Sequence, residues 1–194
     1  MAIKRFILGA AFVLCGVGQL AAGVTQKTTY IYFPVQGASA AAIYRSITAH
    51  SELKDTEHTL ATNKVHMDTQ ILTRNGKPCR VARVTVAMKF AIYLPRLENE
   101  ASLMPPLRRD WRAFAAHLRA HELHHSAIWM TCAAGYNRAL SKLLGGDCDN
   151  LTRQMNARWT EAETSCRKPN DDFDDRDENG MLTMPFIRRV SGGR

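Results

Sequence analysis

Four histidines and one glutamate fall within AHLRAHELHHSAIW, residues 116–129. His121 and His125 are spaced to lie one turn apart on a helix, and Glu122 directly follows the first of them: His-Glu-x-x-His. That spacing aims two imidazoles at one point, where a zinc ion can take both. Glu122, rotated by about 100° from His121 on a helix, reaches water beside the ion rather than the ion itself. The chemistry this predicts is hydrolysis, with zinc activating water and Glu122 taking its proton. Trp111, Phe114, Leu118, Trp129, Cys132, Tyr136 and Leu140 recur at helical spacing and predict one buried stripe, and His121, Glu122 and His125 fall in its middle. Ionisable groups at such positions need a partner. A zinc ion is one. His117 extends the row by a turn and reads as a solvated or supporting residue. His124 projects away from Glu122, which leaves it and Tyr136 as candidates for orienting substrate or an oxyanion.

A helix can hold these groups only if other elements bring a third ligand. TTYIYFPVQG predicts a strand over residues 28–33, ended by Pro34 and Gly37. Ser39 can cap a short helix running towards His50. Asn75-Gly76 predicts a hairpin turn. In its second arm, residues 83–94, Val84, Val86, Met88, Phe90, Ile92 and Leu94 alternate with more polar positions, and Pro95 ends it. That arm could hold an extended peptide as an added strand. Pro105-Pro106 opens the long motif helix and Gly145-Gly146 breaks the segment. Asp149 or Asn150 then caps a second helix to about Arg167, stopped by Pro169.

Two long helices joined by a tight turn lie antiparallel, so residues equally far from the turn are level. His125 then faces the chain near residue 170. This favours Asp171, Asp172 or Asp174 as the third ligand over Glu161 and Glu163, which lie roughly 10 Å away along the axis. A break at Gly135 would redirect the returning chain and make Glu163 the ligand. The same register puts Cys132 beside Cys166 and leaves Cys79 to pair with Cys148.

The ends and the composition bound the setting. Residues 1–23 have a basic start, an apolar run and small residues, the layout of a secretory signal peptide. Residues 24–185 are expected to form one domain, and residues 186–194 a flexible basic tail. Without the leader four cysteines remain, an even number that predicts two disulfides in an oxidising compartment, secreted or periplasmic, at a bacterial cell envelope. The apolar run is marginal for a stable membrane span. The net charge of +8 is spread along the chain, with no aromatic-interleaved basic stripe, so nucleic acid is not an expected partner. DRDENG places Asp175, Asp177 and Asn179 as in the first half of a calcium loop; Pro185-Phe186 follow where its glutamate would be, which leaves a looser, weak calcium site on an acidic loop, or a solvated acidic loop, as the expectation.

GKPCRVARVTVAMKFAIYLPR followed by WRAFAAHLRAHELHH resembles a bacterial family classed as a domain of unknown function and predicted to be secreted zinc-dependent proteases. The positions that carry the resemblance are Cys79, Leu94, Pro95, Trp111, Phe114, Leu118, His121, Glu122 and His125, and YFPVQGASAAAI fits the family's opening. Near its end the family pattern has an aromatic-Asp pair and then Thr-x-His-Gly. This chain keeps Phe173, Asp174 and Gly180 but has Asp177 and Asn179 in place of threonine and histidine. The resemblance therefore implies that an acidic residue fills the third ligand position. Register and resemblance together rank Asp174 first.

The resulting expectation is an α+β, zincin-like single domain: a small, largely antiparallel sheet packed on the His-Glu-x-x-His helix, followed by a second antiparallel helix. Its expected activity is zinc-dependent hydrolysis of peptide bonds in a peptide or protein substrate. The alternative is a non-catalytic exported metal-binding or envelope interaction protein that uses the histidines as a structural zinc site.

Overall fold

The computed structural model describes residues 23–50 and 60–192, so all but Gly23 of the expected leader lies outside the described residues. Strand β1 spans Val24–Val35, helix α1 Ala40–Thr48, β2 Thr62–Arg74, and β3 Cys79–Leu97. Helix α2 (Pro105–Leu140), the short β4 (Leu144–Gly145), α3 (Cys148–Leu182) and α4 (Pro185–Ser191) complete a mixed α+β arrangement.

The sheet order is β1-β3-β2, with β4 paired to the start of β3. β2 and β3 form the expected antiparallel hairpin, whose turn contains Gly76 at a φ of 149°, a conformation that disfavours a Cβ. β1, however, runs parallel to β3, from Val24 opposite Val86 to Val35 opposite Leu97. The sheet is thus only partly antiparallel. α1 leaves the chain at the end of the sheet where β1 finished, so β2 runs back from there, and the hairpin's second arm inserts between them in the direction of β1.

Two prolines expected to end strands do not. Pro34 lies within β1, an edge strand, and Pro95 within β3 beyond the Thr62–Tyr93 pair where β2 begins. A missing N–H is tolerated where a strand has no neighbour on that side.

The alternation along β3 is realised in full. Val84, Val86, Met88, Phe90, Ile92 and Leu94 are all buried, each contributing roughly 1.5–3 kcal/mol of apolar burial. α2 crosses this face with Trp111, Phe114, Leu118, Ala133, Tyr136 and Leu140 buried. Asn63 of β2 pins the middle of the helix, its Nδ2 donating to Ser126 Oγ at 2.8 Å and to the Glu122 carbonyl at 3.1 Å. At the far end Asn137 Nδ2 donates to the Val84 carbonyl at 3.4 Å. Ser39 caps α1 as expected, its hydroxyl accepting from the Ala42 N–H at 3.2 Å.

The C-terminal third departs most from expectation. Asp147, rather than Asp149 or Asn150, caps α3, accepting from the Asn150 N–H at 2.7 Å. Gly145 is needed in the turn, because a Cβ there would lie 2.5 Å from the Asp147 carbonyl oxygen. α2 continues unbroken through Gly135, and α3 continues through Pro169 to Leu182. Proline removes one helix hydrogen bond. The carbonyl this frees is that of Ser165, which lies with Pro169 on the exposed side where water can take it, and in the next position Asn170 Nδ2 donates to the Cys166 carbonyl at 2.7 Å.

Most of the stretch expected as a flexible tail, residues 186–194, belongs to α4, which spans Pro185–Ser191. Phe186 is fully buried, stacked on Phe114 with centroids 4.6 Å apart, and Arg189 Nε donates to the buried Asp110 carboxylate at 2.7 Å. The tail's basic residues hid an apolar pair, Phe186-Ile187, that covers the end of the core. Cys79 pairs with Cys148, and Cys132 with Cys166, at Cα separations of 5.2 and 5.7 Å. The second pair ties α2 to α3 about two turns from the motif.

Candidate metal centre

The His-Glu-x-x-His stretch of α2 divides between two faces. Glu122 and Ser126 lie in the buried row that packs on the sheet, and His121 and His125 face α3. α3 answers with Asn170, Phe173, Asp174 and Asp177, whose spacings of three and four put them on one helical face.

Three ligand atoms meet between the helices. His121 Nε2 is 3.0 Å from His125 Nε2, and Asp174 Oδ1 lies 3.2 Å from the first and 2.9 Å from the second. Two outer contacts set the tautomers. His121 Nδ1 is 2.7 Å from Asp177 Oδ2 and His125 Nδ1 is 2.7 Å from Asn170 Oδ1. A carboxylate only accepts, and Asn170 already spends its amide donor on the Cys166 carbonyl. Both Nδ1 atoms must therefore donate. In neutral imidazoles this leaves a lone pair on each Nε2, facing the other and a carboxylate oxygen.

Three acceptors within about 3 Å of one another repel unless a cation or added protons sit among them. Ligands bound to zinc at about 2.0–2.1 Å in a tetrahedron are roughly 3.3 Å apart. The residues present fit such an ion. Imidazole and carboxylate are borderline and hard donors suited to zinc, and each histidine has the outer partner that metal-bound histidines use. Asp174 is 52% exposed, so the centre is open to solvent on that side.

Glu122 is 5% exposed, and its carboxyl is pushed up to about 8, first by burial and then by the Asp174 carboxylate. A divalent cation beside it would oppose both effects. Phe173 covers the histidines, stacked on His124 at 4.0 Å and edge-on to His125 at 5.1 Å. His117 Nε2 lies 3.0 Å from Asp177 Oδ2, near enough for charge attraction but misaligned for a hydrogen bond.

Of the acidic candidates, Asp174 alone joins His121 and His125 among the described residues. Asp171 is exposed, Asp172 pairs with Lys168 at 2.7 Å, Glu161 pairs with Arg158, and Glu163 pairs with Arg167 at 2.8 Å. DRDENG, expected as a loop, is helical within α3, with Asp175 and Asn179 exposed and Asp177 turned to the histidines. Tyr136 lies three turns from His125, roughly 16 Å along the axis, too far to serve an oxyanion. Asn170 and Asp177 escaped the sequence reading, although their spacing from Asp174 was visible had residues 170–180 been read as helix.

A family profile matches residues 30–180, a span that includes α2, α3 as far as Gly180, and all of these side chains. The chain belongs to the DUF922 family, described as bacterial proteins of unknown function. No curated protein and no solved structure matches it. The DUF922 span begins in β1 and ends at Gly180 in α3, so it takes in the sheet and the α2–α3 pair but stops short of α4. Among the described residues no helix is long and apolar enough to cross a membrane.

Proposed function

We propose that this protein is a zinc-dependent peptidase acting outside the cytoplasm, with the metal held by His121, His125 and Asp174. The observation that carries the reading is the convergence of three lone-pair donors with both Nδ1 hydrogens committed elsewhere. Three protein ligands leave a fourth position, the pattern of a catalytic rather than a structural zinc. The two cysteine pairs support an oxidising compartment.

Bound there, zinc would supply Lewis acidity to a water and to the substrate carbonyl. The chain's own residues do the rest. Glu122, held beside the pair by the anchoring of its backbone to Asn63, takes the proton from the attacking water as the oxygen bonds to the carbonyl carbon. The same carboxyl then gives that proton to the departing amine as the C–N bond breaks. Asp177 and Asn170 keep the two imidazoles turned with Nε2 inward.

Glu122→Gln tests this directly. Zinc content and thermal unfolding should stay near wild type, and peptide hydrolysis should fall by at least about a hundredfold. Loss of zinc on this substitution would make Glu122 a ligand or structural partner and favour the structural zinc site. Unchanged hydrolysis would end the peptidase reading.

A further inference from the structure

A cavity of about 280 Å³ lies one helical turn from the metal ligands, walled by β2, α2 and α3. Trp129 follows His125 by four residues, and Cys166 precedes Asn170 by four, so the cavity and the centre share both helices. Its walls include Trp129, Tyr136, Trp159 and the Cys132–Cys166 pair. Tyr136 and Trp159 meet edge to face at 5.6 Å. Burial pushes the Tyr136 hydroxyl above its ordinary range, in keeping with a largely apolar lining.

Three consecutive residues of β2, namely Val65, His66 and Met67, also line it. Successive side chains of a strand point to opposite faces, so a cavity touching three in a row opens along the strand's edge. β2 is the last strand of the sheet, and no described strand pairs with that edge. Its backbone N–H and C=O groups are therefore a template for an extended chain. The arm expected to bind peptide, residues 83–94, is excluded, because β3 is flanked by β1 and β2.

We propose that the cavity receives a large apolar or aromatic side chain of a peptide that adds to the outer edge of β2, which no described strand occupies, and so selects the bond presented to the centre. Alternate residues of an added strand lie about 6.6 Å apart, close to the roughly 6 Å rise of one helical turn between His125 and Trp129. A side chain in the cavity thus belongs within two residues of the bond cleaved. The volume suffices, since a cavity of about 150 Å³ already holds a benzene ring. This proposal rests on the peptidase reading for its position, but not for its binding.

The test is calorimetric titration of the zinc-loaded Glu122→Gln protein with four blocked pentapeptides that differ only in a central Phe, Leu, Ala or Asp. The Phe and Leu peptides should bind at least about tenfold more tightly than the others, the low end for burying one such side chain. Ala162→Trp, which fills the cavity from α3, should bring the Phe peptide down to the affinity of the Ala peptide. Should that variant not fold, the indole NMR signals of Trp129 and Trp159 in the unfilled protein give the same answer, by shifting with the Phe peptide and not with the Ala peptide. Equal affinities, or a preference that survives the filled cavity, would overturn the proposal. Wild-type cleavage with no preference for large apolar residues would overturn it while leaving the peptidase reading intact. Selective binding without cleavage by wild type would do the reverse.

Discussion

The two helices that build the centre contribute in different ways. α2 places His121, Glu122 and His125 by local spacing alone: any helix with that sequence aligns the imidazoles. α3 places Asn170, Asp174 and Asp177 only because its register against α2 is held by the Gly145 turn and the Cys132–Cys166 pair. A motif read from one helix is thus half of a site. The other half depends on how the chain returns.

The largest effect should come from removing a ligand on either helix. His121→Ala, His125→Ala and Asp174→Ala should each lower zinc affinity by about a thousandfold or more, measured by competition with a chelator. Equal severity for Asp174 and the histidines would put the two helices on the same footing. If Asp174→Ala retained wild-type affinity, α3 would supply no ligand and the comparison would fail.

The next effect concerns the buried carboxyl of α2. The folded-state value of about 8 for Glu122 lies above the ordinary 4.5, so the folded state binds the proton more tightly than the unfolded state. This stability is fully present below pH 4.5 and is lost as pH rises to about 8. The metal-free protein should lose on the order of 3–5 kcal/mol across that window in urea titrations. Glu122→Gln should flatten the profile, and saturating zinc should reduce its slope. An equally steep profile in Glu122→Gln would assign the pH dependence to another group.

Smaller effects separate supporting residues from bystanders on α3. Asp177→Ala and Asn170→Ala should weaken zinc by about 10–100-fold, the usual cost of losing an outer partner. Asp172→Ala, which breaks only an exposed pair with Lys168, should leave both zinc affinity and the unfolding midpoint near wild type. Similar zinc loss in Asp172→Ala would mean that general negative charge on α3, not directed contacts, holds the metal.

This division also explains what could be read in advance. The alternation from Val84 to Leu94, the capping Ser39, the Asn75-Gly76 turn and the motif helix all rest on local rules, and each appears in the structure. Both cysteine pairings, and the narrowing of the third ligand to Asp171, Asp172 or Asp174, came from one geometric assumption, that two helices return antiparallel about a tight turn; the resemblance was needed to put Asp174 first. The antiparallel return is present in the structure even though the expected second helix stopped at about residue 167, ten residues short of Asp177 and fifteen short of Leu182. What escaped were features decided by tertiary context. Pro169 reads as a stop unless the Ser165 carbonyl it frees is known to lie on the solvent side of the helix. Pro34 and Pro95 read as stops unless the strands are known to lack a neighbour there. The parallel pairing of β1 and β3 depends on where the chain re-enters the sheet, which no local pattern encodes. The acidic run from Asp171 to Asn179 resembled a loop because its helix is held by partners on α2, not by its own composition.

X-ray absorption at the zinc edge of the loaded protein tests the central claim most directly, because it counts the ligands that α2 and α3 supply together. The account predicts two imidazoles and a total of about four nitrogen or oxygen neighbours at roughly 2.0–2.1 Å, with no sulfur, and a loss of that shell in Asp174→Ala. A third imidazole, a sulfur neighbour, or a spectrum unaltered in Asp174→Ala would contradict it.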